Sequence, residues 1–146
     1  MSFRKGLSFD DVLLIPRYSD ITSRKKGVSI SSMLGSINLD IPIISSPMDT
    51  VTESAMALEM DNLGGLGIIH RYNTANEQAG IVRSCHGKNV GAAIGVTGDY
   101  LERALTVVKA GANVLCIDIA HGDHILMENA IEMRSDELMT EVGFKQ

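Results

Sequence analysis

The stretch Val114-Leu115-Cys116-Ile117-Asp118-Ile119-Ala120-His121-Gly122 decides how the rest of the chain is read. An apolar run climbs to an acid and then breaks at a small residue, a histidine and a glycine. Strands buried on both faces of a parallel sheet read as near-continuous Val/Ile/Leu runs, and ligands of such sheets gather at the carboxyl ends of the strands. Asp118 is the first residue after the run that can do polar work. Taken alone, a helix cap or a loop ion pair explains it equally well, because caps favour Asp.

Three earlier stretches are built alike. Ile41-Pro42-Ile43-Ile44-Ser45, Leu66-Gly67-Ile68-Ile69-His70 and Gly91-Ala92-Ala93-Ile94-Gly95-Val96 read as strands, and the four starts fall 25, 25 and 23 residues apart. A helix pattern fills each gap. The first has Thr50 three before Glu53, a capping box, and the stripe Met56, Met60, Leu63. The second has Thr74 three before Glu77, with Ile81, Val82 and Cys85. The third has Asp99 as cap and the stripe Leu101, Leu105, Val108. A fourth follows Gly122 with Leu126, Ala130 and Met133 at helical spacing, and Ser135–Val142 either continues it or makes a short extra turn.

Short connections and right-handed crossovers make the four strands parallel. Two α/β architectures accept four consecutive βα units. One is a small doubly wound sheet; the other is half of a TIM-type (β/α)8 barrel, which takes eight units over about 250 residues. Residues 41–146 form this domain, and residues 1–40 are an irregular lead-in expected to pack over it. Within the lead-in, Pro16 stops an apolar run, and Val28-Ser29-Ile30-Ser31 alternates like a short strand.

With 146 residues, 45% of them hydrophobic, the chain is expected to be globular. No apolar run approaches the ~18–20 residues that cross a bilayer, and the charged start leads into no signal region. Two cysteines, Cys85 and Cys116, make neither a disulfide framework nor a metal spacing, so a reducing cytoplasm is expected. A net charge of −5 argues against general affinity for nucleic acid. Asp123, Glu128, Glu132, Asp136, Glu137 and Glu141 against Arg134 and Lys145 place most of that charge after Gly122, which reads as one exposed acidic helix face.

Candidate sites sit where the strands end. Ser45-Ser46-Pro47-Met48-Asp49-Thr50 opens the first helix, where hydroxyls and free N–H groups make either an anion site or an ordinary cap. His70-Arg71 ends the second strand and Thr97-Gly98-Asp99 the third. Gly64-Gly65-Leu66-Gly67 is no dinucleotide fingerprint, because its glycines precede a strand instead of following one. Cys85 lies beside His86, but neighbours on a helix do not face each other. Cys116 lies mid-strand, where burial makes a thiol inert. His121 and His124 lack a third metal ligand, so no metal site is expected.

Leu7-Ser-Phe-Asp-Asp-Val-Leu-Leu-Ile-Pro16, Ser45-Ser-Pro-Met-Asp-Thr-Val-Thr-Glu53, Gly64-Gly-Leu-Gly-Ile-Ile-His-Arg71, Gly91-Ala-Ala-Ile-Gly95 and Asp118-Ile-Ala-His-Gly122 resemble, in this order, the IMP dehydrogenase/GMP reductase family. Five motifs in order are far more specific than any one. The resemblance covers about residues 7 to 122 and implies a β/α barrel, of which these units are the N-terminal half. It implies that Ser46 meets the phosphate and Met48 the base of a purine nucleotide, IMP or GMP. It implies that Asp118 holds the hydroxyls of the nicotinamide ribose, with Thr97 and Ala120 lining the cofactor channel. The cofactor would be NAD in a dehydrogenase making XMP, or NADPH in a reductase. The wording of the second and fifth motifs is more like the dehydrogenase, and no basic pocket for a 2′-phosphate stands near Asp118 in sequence.

The same resemblance marks departures. The family's nucleophilic Cys loop, its later phosphate glycines, its mobile flap and its monovalent-cation site have no counterpart here, so no catalytic residue is assigned. The regulatory insertion that many dehydrogenases carry after the second helix is missing too. The segment from Asp123 looks divergent. Half a barrel is expected to expose two sheet edges and one apolar face, and hence to self-associate or to join a complementary C-terminal half. A non-catalytic binding module is the alternative to an enzyme.

Overall fold

The computed structural model describes residues 4–23 and 25–132. A short hairpin, β1 (Ser32–Leu34) and β2 (Ile37–Leu39), precedes β3 (Ile44–Ser45), α1 (Ser54–Asn62), β4 (Leu66–Ile69), α2 (Ala75–Ser84), β5 (Val90–Ile94), α3 (Tyr100–Lys109) and β6 (Val114–Ile117). Helical backbone resumes over residues 125–132. The extra turn expected at Ser135–Val142 lies outside the described residues.

Strands β3 to β6 form one parallel sheet in the order β3-β4-β5-β6. This sequential order settles the choice between the two architectures. A doubly wound sheet reverses its strand order at a switch point, whereas a barrel adds each strand beside the last. The sheet is the four-unit part of a β/α barrel, with β3 and β6 as its edges.

Alternate residues serve the two sides. Ile69, Val90 and Ala92 pack with Ala57, Val82, Cys85, Val107 and Ala112 against the helices. Leu66, Ile68 and Ala93 face the other way, toward the barrel interior, and meet Leu39 with Ile37 of the hairpin. Close helix approach needs Gly67: a Cβ there would stand 2.5 Å from the Ala57 Cα. The central strands β4 and β5 are buried throughout, while all four residues of β6 are half-buried.

Several local expectations shift. The first strand shrinks to two residues because Pro42 cannot donate and the Ile43 N–H turns back to the Ile41 carbonyl at 2.8 Å. The capping box at Thr50 does not form. Val51 and Thr52 instead donate to the Met48 carbonyl, and Glu53 becomes the N-cap. In α1 the buried residue is Ala57, with Met56 and Leu63 exposed. Thr74 and Glu77 do form the reciprocal capping box of α2. At α3, Asp99 occupies the N-cap but makes no side-chain cap bond; its carboxylate pairs with Arg103, which lies on the buried face. The strand expected at Val28–Ser31 falls instead on Ser32–Leu34. Its hairpin packs by way of Leu39, while residues 5–20 stay exposed, Phe9, Leu13 and Leu14 almost fully.

Candidate functional site

The carboxyl ends of the four parallel strands lie along one rim. At the first, the loop after β3 folds back on itself. The Met48 N–H donates to the Ser46 carbonyl (2.9 Å). The fully buried Thr52 hydroxyl donates to the same carbonyl (2.6 Å) and lies 2.8 Å from the Ser45 hydroxyl. This pins the backbone and leaves the Ser46 side chain exposed beside a half-exposed Met48.

At the second end, His70 is buried. Its Nδ1 accepts from the Tyr72 N–H (3.1 Å), so the proton sits on Nε2, which faces Glu53 Oε1 at 3.3 Å. The imidazole ties α1 to β4 and is a structural group. Arg71 turns the other way. Its Nε donates to Asp118 Oδ2 (3.0 Å) and its Nη2 to the Asp118 carbonyl (3.2 Å), spanning from β4 to β6 across the end of β5. Gly95 lies under that span, and a Cβ there would stand 3.4 Å from Arg71 Nη1. The Asp118 side chain keeps 30% of its surface exposed. The Asp118 N–H continues the ladder by donating to the Ile94 carbonyl (2.8 Å). Thr97 and Ala120 are exposed on the neighbouring loops.

The structure thus brings Asp118 and Ala120 to one edge of the rim, with Thr97 beside them. Ser46 and Met48 stand at the other edge, three interstrand spacings or about 14 Å away. A groove of about 700 Å³ opens between α1 and α2, lined by Asp49, Glu53, His70, Tyr72 and Glu77 among others, and it includes none of the five. His121 is exposed, and His124 Nδ1 accepts from the Leu126 N–H (3.1 Å) at the start of the next helical turn. Burial pushes the thiols of Cys85 and Cys116 up, and the Asp118 charge adds to the effect at Cys116. Both thiols are therefore poor nucleophiles, as their positions imply.

Two features escape the sequence. One is the Arg71–Asp118 link, whose partners are 47 residues apart. The other is a buried brace behind the rim. Gln78 Nε2 donates to the carbonyls of Ile69 (3.3 Å) and Ala93 (2.8 Å), and its Oε1 accepts from Arg103 Nη1 (3.0 Å). Arg103 Nη2 reaches the Asn73 carbonyl and Asp99. The brace ties β4, β5, α2 and α3 together directly behind the ends that carry His70 and Gly95. A strong hydrophobic period hides such polar groups; the available signal was the spacing of Asp99 and Arg103 at i and i+4.

Comparison with known proteins points to one family. The sequence pattern of the IMP dehydrogenase / GMP reductase domain matches residues 6–142. The match runs past Gly122, so much of the acidic segment falls inside the family's pattern and not outside it. An inosine-5'-monophosphate dehydrogenase of Nitrosopumilus maritimus is 54% identical over 79 residues, covering 54% of this chain and 17% of that protein. The enzyme of the same name from Cryptosporidium parvum is 36% identical over 164 aligned residues, 81% of this chain and 40% of its own length. That of Bacillus subtilis is 49% identical over 76 residues, 52% of this chain and 15% of the relative. The chain therefore spans well under half the length of these relatives. With the pattern matched across most of its residues and the strands paired in barrel order, the chain belongs to the IMP dehydrogenase / GMP reductase domain family.

Proposed function

We propose that the chain supplies the N-terminal half of a purine-nucleotide oxidoreductase site of the IMP dehydrogenase type, working in the cytoplasm. Ser46 and Met48 hold the phosphate and base of IMP; Asp118, Thr97 and Ala120 hold the nicotinamide half of NAD. The observation that carries this reading is the Asp118 carboxylate, part-exposed at the carboxyl end of β6. A carboxylate is acceptor-only with about four lone-pair sites. Arg71 uses one side-chain oxygen at Oδ2, which leaves acceptor capacity for two ribose hydroxyls, so the residue fits the group. When bound, NAD would accept a hydride from the purine. The chain's own contribution is to bind and orient. The pinned β3 loop presents Ser46, and the ladder bond to Ile94 together with Arg71 fixes Asp118. Neither cysteine is suited to attack the purine.

A second reading, a non-catalytic module that self-associates or joins a complementary C-terminal half, is favoured by the half-buried β6 and the exposed residues around Phe9 and Leu14. Calorimetric titration of the chain with IMP, NAD, GMP and NADPH separates these. Binding of IMP and NAD is expected, with Asp118→Asn weakening NAD about tenfold or more, the size of one charged hydrogen bond, and leaving IMP unchanged. Preference for GMP and NADPH points to the reductase reaction. Binding of no nucleotide removes the oxidoreductase reading and leaves the module.

A further inference from the structure

The Arg71–Asp118 pair leaves part of the guanidinium unused. Nε and Nη2 are turned to Asp118, and no described residue accepts from Nη1. That nitrogen lies over Gly95, where a Cβ would stand 3.4 Å from it and 3.8 Å from the Thr97 carbonyl oxygen. The Tyr72 ring stands on the Arg71 side chain, 5.8 Å from centroid to Cζ. The Arg71 side chain is 35% exposed, at the same rim as the 30% exposed Asp118. A guanidinium is a planar fork of five N–H donors that matches phosphate. Two bonds to one partner already fix its plane, so the remaining N–H groups are aimed without further loss of rotamer freedom.

A nucleotide whose ribose hydroxyls rest on Asp118 carries its 5′-phosphate on the same sugar. An uncompensated carboxylate would repel that phosphate; paired with Arg71 it forms a neutral unit with donors left over. We propose that Arg71 is the phosphate contact of this half of the site, holding Asp118 through Nε and Nη2 and donating from Nη1 to the 5′-phosphate of the ribose that Asp118 holds. The inference rests on the ribose role of Asp118 given above.

The test is titration of the full chain with nicotinamide mononucleotide and with nicotinamide riboside, which lacks the phosphate. The mononucleotide is expected to bind roughly tenfold or more tightly, the size of one charge-assisted bond. Arg71→Gln should erase that preference, and Arg71→Lys should keep part of it while circular dichroism confirms the fold. Asp118→Asn should weaken both ligands alike. Equal affinity of the wild-type chain for the two ligands, or a preference that survives Arg71→Gln, overturns the proposal. If neither ligand binds, the Arg71 side-chain N–H resonance is followed while inorganic pyrophosphate is added. A shift keeps the anion contact and rejects the ribose role of Asp118; no shift rejects both.

Discussion

The helix side and the interior side of the sheet are made from alternate residues of the same strands, and they end differently. Ala92 lies among Val82, Cys85 and Val107, closed in by helices that the chain supplies between one strand and the next. Its neighbour Ala93 lies with Leu66, Ile68 and Leu39, on the side where Val114 and Cys116 are only partly buried. Alternation decides which side a residue faces. Whether that side is closed depends on which elements arrive to cover it. Local crossover helices complete the first side, while the second has a hairpin at one end and would need further strands to become a barrel interior.

The sharpest way to break this comparison is to add one methyl group to each side. Gly67→Ala drives a Cβ to within 2.5 Å of the Ala57 Cα and 2.9 Å of its Cβ. Helix backbone cannot yield locally, and a loss of about 3 kcal/mol, the upper end for overpacking, is expected in urea denaturation. Gly91→Ala meets the Cδ1 of Ile68, the far end of a flexible side chain on the less crowded side. A change of rotamer relieves it at about 1 kcal/mol. Equal losses would mean that the interior side is packed as tightly as the other.

The brace offers a second, smaller contrast. Gln78→Leu keeps the volume but removes the donor to the Ile69 and Ala93 carbonyls and the acceptor for Arg103. Leaving buried polar groups unpaired costs about 2 kcal/mol, read from the same denaturation midpoint. If stability is unchanged, the helix side owes nothing to its polar brace.

The mildest probe changes no residue. Cys85 belongs to the helix side, at 1% exposure, and Cys116 to the half-buried interior side. A thiol reagent should label Cys116 slowly and Cys85 only as the chain unfolds. Because the folded Cys116 pKa is raised, its thiolate fraction and labelling rate should keep climbing at pH values where a free thiol has levelled off. If copies of the chain cover the interior side, raising the protein concentration should protect Cys116 and leave Cys85 unaffected. Faster labelling of Cys85 than of Cys116 would invert the assignment of the two sides.

Sequence patterning carried the architecture a long way. The runs at Leu66–Ile69 and Val114–Ile117 are strands as their apolar character implies, although only the first is buried on both faces and the second, at the sheet edge, is half-buried. The hairpin was missed although its signal was present. Gly35-Ser36 separates Leu34 from Ile37, and the two pair across a turn in which Gly35 has φ +59°, the two-residue loop that favours glycine. Of the expected α3 stripe, Val108 is buried while Leu101 and Leu105 are half-buried, and the buried face also takes in Arg103, Ala104 and Val107. The pairing of Arg103 with Gln78 and Asp99 is a tertiary fact that spacing does not reveal. Asp118 was legible as a strand-end acid. Its hold on Arg71 was not, since nothing in local periodicity links residues two βα units apart.

Strand order also has a consequence in time. The closed core is assembled from residues between Ala57 and Ala112, each unit resting on the one made just before it. Contacts on the helix side are therefore short in sequence separation, and local contacts of this kind favour fast folding. The Arg71–Asp118 link closes a loop of 47 residues, a larger entropic cost than any single βα unit carries, so it is expected to form after the helix side has closed.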